Sequence, residues 1–164
     1  MADRPLWAPW RIEYIKAPKD GDCIFCVAAA ANDDASVHVV ARAERCFALL
    51  NNYPYASGHV MVAPYRHVAR LDELEDAELV ELMTLTRRLV GALEDGFGPD
   101  GFNIGINQGK TAGAGIADHL HQHVVPRWEG DTNFMPVVGS TRVLPQALSE
   151  ALAVIIDALG RRAP

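Results

Sequence analysis

His119-Leu120-His121-Gln122-His123-Val124-Val125 sets histidine at three alternate positions. Alternation is the period of an extended strand, whose successive side chains point to opposite faces. The three imidazoles then share one face, and Leu120, Gln122 and Val124 take the other. The stretch His119 to Trp128 reads as one strand. With six histidines in 164 residues, a triple at fixed alternate positions is not a chance spacing. Just before it, Gly109-Lys110-Thr111-Ala112-Gly113-Ala114-Gly115-Ile116 forms a small-residue loop. Glycines let backbone N–H groups converge on an anion. A neutral imidazole is a good nucleophile towards phosphorus, and neighbouring imidazoles orient it or move its protons. Phosphoryl or nucleotidyl transfer is one reading of this pairing. A metal-binding or merely buried histidine cluster is the other.

Working outward, Phe102, Ile104 and Ile106 alternate with Asn103, Gly105 and Asn107, which predicts a second strand. Three more strand-like segments, from His38 to Pro64, are HVVAR, CFALLN and GHVMVAP. Asn51-Asn52-Tyr53-Pro54 and Ser57-Gly58 are turn residues between them. Residues 74–95 change to helical period, with Leu79, Leu82, Met83, Thr86, Leu89, Val90 and Leu93 on one face. Glu73, Glu75, Asp76 and Glu78 crowd the start, Arg87 and Arg88 come later, and Gly96-Phe97-Gly98-Pro99 stops the helix. A C-terminal helix is expected over 145–160, with Leu148, Leu152, Ile155, Ile156 and Leu159 on its stripe. Pro145 suits its first turn and Gly160 its end. Residues 1–22, with Trp7, Trp10 and Tyr14, read as an irregular arm. Cys23 to Asn32 holds one helical turn. These pieces predict a single α+β domain over 1–164, with a few antiparallel strands and two main helices.

Composition narrows the function. Fifteen Lys+Arg against 21 Asp+Glu give a net charge of −6, which argues against a non-specific nucleic-acid binder. A small phosphate ligand is still possible, because a few backbone N–H groups can hold it in an acidic protein. The first residues lack the apolar core of a signal peptide, and no apolar run approaches the roughly 18 residues of a membrane span. A cytoplasmic protein is therefore expected. Three cysteines, an odd number, do not make a secreted disulfide framework. Cys23-Ile24-Phe25-Cys26 has zinc-knuckle spacing, and it also fits a redox pair or two buried thiols. Cys46 reads as a core residue, and His38 as a surface residue opening a strand.

The histidine stretch resembles the His-φ-His-φ-His-φ-φ motif of the histidine triad (HIT) superfamily of nucleotide hydrolases and transferases, where φ is apolar. Ala48-Leu49-Leu50-Asn51, then Pro54, then Gly58-His59-Val60, resembles that family's nucleoside-binding strand and turn. Asn107-Gln108-Gly109 with Gly113 and Gly115 resembles its phosphate-side segment. The similarity runs from Cys23 to Trp128. Leu6-Trp7-Ala8-Pro9-Trp10-Arg11 and Pro126-Arg127-Trp128, with Gly130, Asp131, Asn133 and Phe134, resemble the bacterial diadenosine tetraphosphate phosphorylase branch. One departure is Gln122, which stands at an apolar position of the motif and is expected to face away from the triad.

The resemblance implies a HIT-like sheet of about five antiparallel strands, continued across a homodimer. It implies that His121 attacks the α-phosphorus, with His119 and His123 orienting the site and His59 nearby. Asn51 would meet the ribose, and Asn107, Gln108, Gly113 and Gly115 would meet the phosphates. Lys110 or Arg127 are further candidates for the polyphosphate. No catalytic cofactor is implied. A structural zinc would be held by Cys23, Cys26, His67 and His119, which gives His119 two competing roles. The implied reaction is phosphorolysis of diadenosine tetraphosphate to ATP and ADP, with the dinucleotide and inorganic phosphate as partners. The alternatives are hydrolysis of dinucleoside polyphosphates or nucleoside phosphoramidates, and a non-catalytic nucleotide-binding module.

Overall fold

Five strands pair antiparallel into one sheet in the computed structural model, which describes residues 22–131 and 146–162. The aromatic arm, Pro145 and the Asn133-Phe134 pair lie outside these residues. The strands are β1 (Val39–Arg42), β2 (Cys46–Leu50), β3 (Val60–Pro64), β4 (Gly101–Ile106) and β5 (Gln122–Arg127), in the order β1-β2-β3-β5-β4. β2 and β3 are buried along their whole length. Their near-continuous apolar sequences follow from having cores on both faces.

One face carries α2 (Asp76–Phe97) and α3 (Leu148–Arg161), and this side holds the larger core of Leu50, Val62, Leu82, Leu85, Leu89, Leu93, Val124 and Ile155. The other face carries a short helix, α1 (Ile24–Ala30), over Val39, Phe47, Leu49, Met61 and Ala63. The architecture is the expected α+β one, with the short α1 added to the two main helices.

Several boundaries differ from expectation. The strand predicted from His119 starts at Gln122. Both neighbouring ladders end there, at the Val62–Gln122 and Ile106–Gln122 pairs. Further back, Leu120 donates its N–H to Val68 O at 2.6 Å instead. The alternation of faces nevertheless persists, since Leu120 and Val124 enter the helix-side core while His119 and His121 meet Phe25 of α1. Met83 is 55% exposed, and Leu85 takes the buried place expected for it. Ile156 is 47% exposed, with Ala151 and Ala158 filling the α3 stripe. Gly160 lies inside α3, which runs on to Arg161. Arg162 then pairs with Asp95 at the end of α2 and fixes the helix pair there. The stop of α2 is as expected: Gly98 adopts φ +55°, the left-handed cap.

Among the described residues, no helix is long and apolar enough to cross a membrane.

Candidate active site

The tautomers of His119 and His121 are assigned by partners that can only accept, and that of His123 through His59, whose own partner can only donate. His119 is fully buried, and its Nε2 lies 3.0 Å from the carbonyl of Pro64. A carbonyl only accepts, so Nε2–H donates and the Nδ1 lone pair is left facing Cys23 Sγ at 3.3 Å and Cys26 Sγ at 3.7 Å. His67 Nδ1 approaches Cys26 Sγ at 3.2 Å. Cys23 is the N-terminal cap residue of α1 and Cys26 lies one turn further along it. The four ligand atoms all fall within 4.8 Å of one another. Zinc bonds of about 2.3 Å to sulfur and 2.0 Å to nitrogen put tetrahedral ligand pairs roughly 3.3–3.8 Å apart. The observed 3.2–3.7 Å contacts fit that cage, and the Pro64 carbonyl is the outer partner that orients a ligating imidazole. Burial, and after it the hydrogen bond to Cys23, raises the Cys26 thiol pKa.

His121 donates Nδ1–H to the backbone carbonyl of His119 at 2.9 Å. Its Nε2 therefore carries the lone pair. The ring lies 4.7 Å from Phe25 and meets His123 edge-on at 4.9 Å. Burial lowers the His121 pKa, so the ring is neutral near pH 7. His119 is lowered first by burial and then by its neighbouring histidines.

His59 and His123 form a relay. The Tyr55 N–H donates to His59 Nδ1 at 3.1 Å. His59 Nε2–H then donates to His123 Nδ1 at 2.9 Å. His123 is left with its proton on Nε2, beside the His121 ring. Burial, then the proximity of His121, pushes His123 down to about 4. Gly58, with φ +75°, makes the turn into His59 possible. A Cβ there would also come within 3.1 Å of Leu93.

The other expected site residues are arranged differently from one another. Asn51 Oδ1 accepts the Tyr53 N–H at 2.8 Å and so shapes the turn after β2. Gln108 Oε1 accepts the Leu71 N–H at 2.9 Å, which ties the glycine loop to the segment after His67. Asn107 is half-buried and lies one residue past the Ile106–Gln122 pair, at the level of His121. The Gly113 N–H closes a turn on Lys110 O at 3.0 Å, so it does not belong to an open N–H cradle. Gly115 and Lys110 are exposed. Arg127, expected as a polyphosphate candidate, instead donates from Nε and Nη2 to the Asp131 carboxylate and from Nη1 to Asn103 Oδ1. His38 does not open β1. It precedes the strand at φ +56°, with its Nδ1 2.8 Å from Asn52 Oδ1. Cys46 is buried as expected, and burial, with Glu81 and Glu78 nearby, pushes its thiol up to about 12.

Gln122 turns away from the histidines. Its Nε2–H donates to Thr86 Oγ1 at 2.9 Å, and that hydroxyl donates to Leu82 O at 2.8 Å. Two contacts escape a reading of the sequence. Phe25 packs on His119 and His121, and Tyr55 lies 4.6 Å from His59 and 5.9 Å from His123. Phe25 sits between the two cysteines and Tyr55 follows Pro54, but only the fold directs either ring to the triad.

A five-stranded α+β domain with a histidine stripe across its sheet, one end against a cysteine pair, defines the class. The HIT domain model matches residues 32–130. The chain is 39% identical over 165 residues to an AP-4-A phosphorylase of Mycobacterium tuberculosis, covering 96% of this chain and 85% of that protein. It is 39% identical over 84 residues to the Schizosaccharomyces pombe asymmetrical bis(5'-nucleosyl)-tetraphosphatase, covering 51% of this chain and 46% of that one. The crystal structure of a Zn-bound histidine triad family protein from Mycobacterium smegmatis superposes with TM-score 0.70 at 27% identity, covering 86% and 95%. The chain belongs to the HIT domain family.

Proposed function

We propose that this protein is a nucleotidyl-transferring enzyme that splits dinucleoside polyphosphates, with His121 as its nucleophile. The observation that carries the reading is the pairing of a neutral His121, its Nε2 lone pair unengaged by the His119 carbonyl, with a His123 that holds its proton on Nε2. Its relatives, named as a phosphorylase and a tetraphosphatase, support this substrate class.

His121 Nε2 forms a bond to the α-phosphorus, and the bridging P–O bond breaks. The leaving oxygen departs as part of a polyphosphate anion, and His123 Nε2–H donates a hydrogen bond to it as its charge develops, with His59 holding the ring in that orientation. The resulting nucleotidyl-imidazole is then attacked by an anionic oxygen of inorganic phosphate, which forms the new P–O bond as the P–N bond breaks and returns the lone pair to His121 Nε2. Diadenosine tetraphosphate thereby gives ATP in the first step and ADP in the second. Splitting one displacement into two is the gain of covalent catalysis. His119 serves this scheme through its backbone carbonyl, which leaves its ring nitrogen for the metal quartet and reconciles its two expected roles.

Asn51 is assigned to the ribose, and Asn107, Gln108 and the backbone at Gly113 and Gly115 to the phosphates. The Gly113 N–H has to leave Lys110 O to take part. Zinc in the Cys23, Cys26, His67, His119 quartet would tie α1 to the triad segment, and it supplies no chemistry to the reaction. β4 is an edge strand with Ile104 47% exposed, and we assign homodimerisation to that edge.

The test is to incubate diadenosine tetraphosphate with and without inorganic phosphate and to follow ADP and AMP. Phosphate-dependent ADP supports phosphorolysis, and AMP without phosphate dependence makes the protein a hydrolase through the same intermediate. A His121→Ala variant that folds and keeps full turnover would refute the nucleophile.

A further inference from the structure

We propose that Tyr55 is the stacking platform for the second base of the substrate, the one carried away on the leaving polyphosphate. The proposal rests on the nucleotidyl-transfer reading above and adds to it a residue that selects two-base over one-base substrates.

The two ends of the histidine stripe differ. The His119 end is closed by Cys23, Cys26, His67 and Phe25, and His119 itself has no exposed surface. Among the described residues of the single chain, the face of the sheet at the His123 end is open. Its partner across the sheet is Gly105 of β4, which is exposed, and a side chain built there would meet nothing within 4 Å. A polyphosphate expelled from His121 and hydrogen-bonded by His123 Nε2–H therefore has room to leave on this side.

Tyr55 marks the same end. Its ring lies over His59 at 4.6 Å and reaches His123 at 5.9 Å, yet the residue is 46% exposed. Tyr53, two residues earlier across Pro54, is 39% exposed. Both residues are fixed by their own backbones, since the Tyr53 N–H donates to Asn51 Oδ1 and the Tyr55 N–H to His59 Nδ1. Pro54 restricts the backbone between them. The turn thus holds an aromatic ring at the exit of the reaction centre without the entropy cost of ordering a mobile loop. Aromatic faces stack on any base, so the platform is tolerant of the identity of the second base.

The experiment compares diadenosine tetraphosphate with adenosine tetraphosphate, which offers the same α-phosphorus and the same phosphate chain but no second base. KM and kcat are measured for the wild type, Tyr55→Phe, Tyr55→Leu and Tyr55→Ala. The wild type should show the lower KM for the two-base substrate. Tyr55→Phe should keep that preference. Tyr55→Ala and Tyr55→Leu should reduce the KM ratio by about tenfold or more, the usual loss for one base–aromatic stack. Leu retains an apolar cover over His59, so a loss common to Ala and Leu isolates stacking from support of the relay. Replacing the second adenine by guanine should leave the wild-type preference within a few-fold. A wild type with no two-base preference, or a Tyr55→Ala loss equal for both substrates, overturns the platform and leaves the mechanism standing. A wild type that turns over neither substrate overturns the mechanism and the platform together.

Discussion

Replacing Thr86 by Val should destabilise the protein more than replacing Gln122 by Leu, although one hydrogen bond joins the two side chains. Both residues are almost fully buried, at 2% and 4% exposure. In Thr86→Val the shape is kept, but the Gln122 Nε2–H loses the acceptor it holds at 2.9 Å. A buried donor left without a partner costs about 1–3 kcal/mol. In Gln122→Leu the amide itself is gone, and the Thr86 hydroxyl still donates to Leu82 O. The leucine adds apolar contact beside Leu120 and Val124, so the net change should stay within about 1 kcal/mol. The double variant should return to near the Gln122→Leu value, giving a coupling of about 1–3 kcal/mol in a double-mutant cycle. Urea midpoints at constant m-value measure this, and thermal midpoints should drop by a few to about ten degrees for Thr86→Val. Because Gln122 faces away from the triad, Gln122→Leu should also leave turnover within a few-fold. Equal losses for the two single variants, or a neutral Thr86→Val, would refute the reasoning.

Further outcomes follow from the same geometry. His59→Phe removes the donor to His123 Nδ1 and should lower kcat about 100-fold or more, the usual weight of one oriented donor to the developing charge. Neutral His121 is the reacting form and burial lowers its pKa, so the acid limb of the pH–rate profile should lie below the ordinary histidine value of about 6.5. For stability, His123 is held near 4 in the folded chain and rises to the ordinary value on unfolding. Its contribution is therefore complete above about pH 6.5 and is lost as pH falls towards 4, which urea midpoints at several pH values will read. Arg66→Ala strands the buried Glu78 carboxylate, whose pKa the Arg66 hydrogen bond lowers. With Arg66 itself half exposed, the loss should be about 1–3 kcal/mol at neutral pH and should shrink as acid protonates the Glu78 carboxylate, whose pKa the pairing lowers. Purified protein should carry one zinc per chain, and Cys26→Ser or a strong chelator should remove it and lower the melting midpoint. A fully stable, metal-free protein would exclude the quartet.

The sequence and the structure divide the description along physical lines. Strand period, helix period and turn residues are local properties, so the five strands, both long helices and the shared face of the three histidines could be read directly. Errors fall where a neighbour decides. Met83 and Ile156 have the right residue type for a core stripe, but each sits one step off the arc that meets the sheet. The start of β5 is set by where its ladders to β3 and β4 end, which no property of residues 119–121 encodes. Gly160 has the chemistry of a helix stop, yet the Arg162–Asp95 contact lies beyond it and the helix continues.

The candidate site shows the same division. Spacing alone singled out His119, His121 and His123, and a Cys-x-x-Cys pair needs only one helical turn to converge. Which nitrogen of each ring carries the proton depends on a Pro64 carbonyl, a His119 carbonyl and a Tyr55 N–H. These are backbone groups with no signature in residue type. The same holds for Arg127, whose charge suggested a phosphate but whose guanidinium is held by Asp131 and Asn103. The sequence by itself determined that three imidazoles share one face of an α+β sheet, because alternation is fixed by the pleat of the backbone. Only the tertiary structure decided that the first turns to the cysteines, the second keeps a lone pair and the third keeps a proton, because those roles depend on which backbone and ring groups the fold sets against each imidazole.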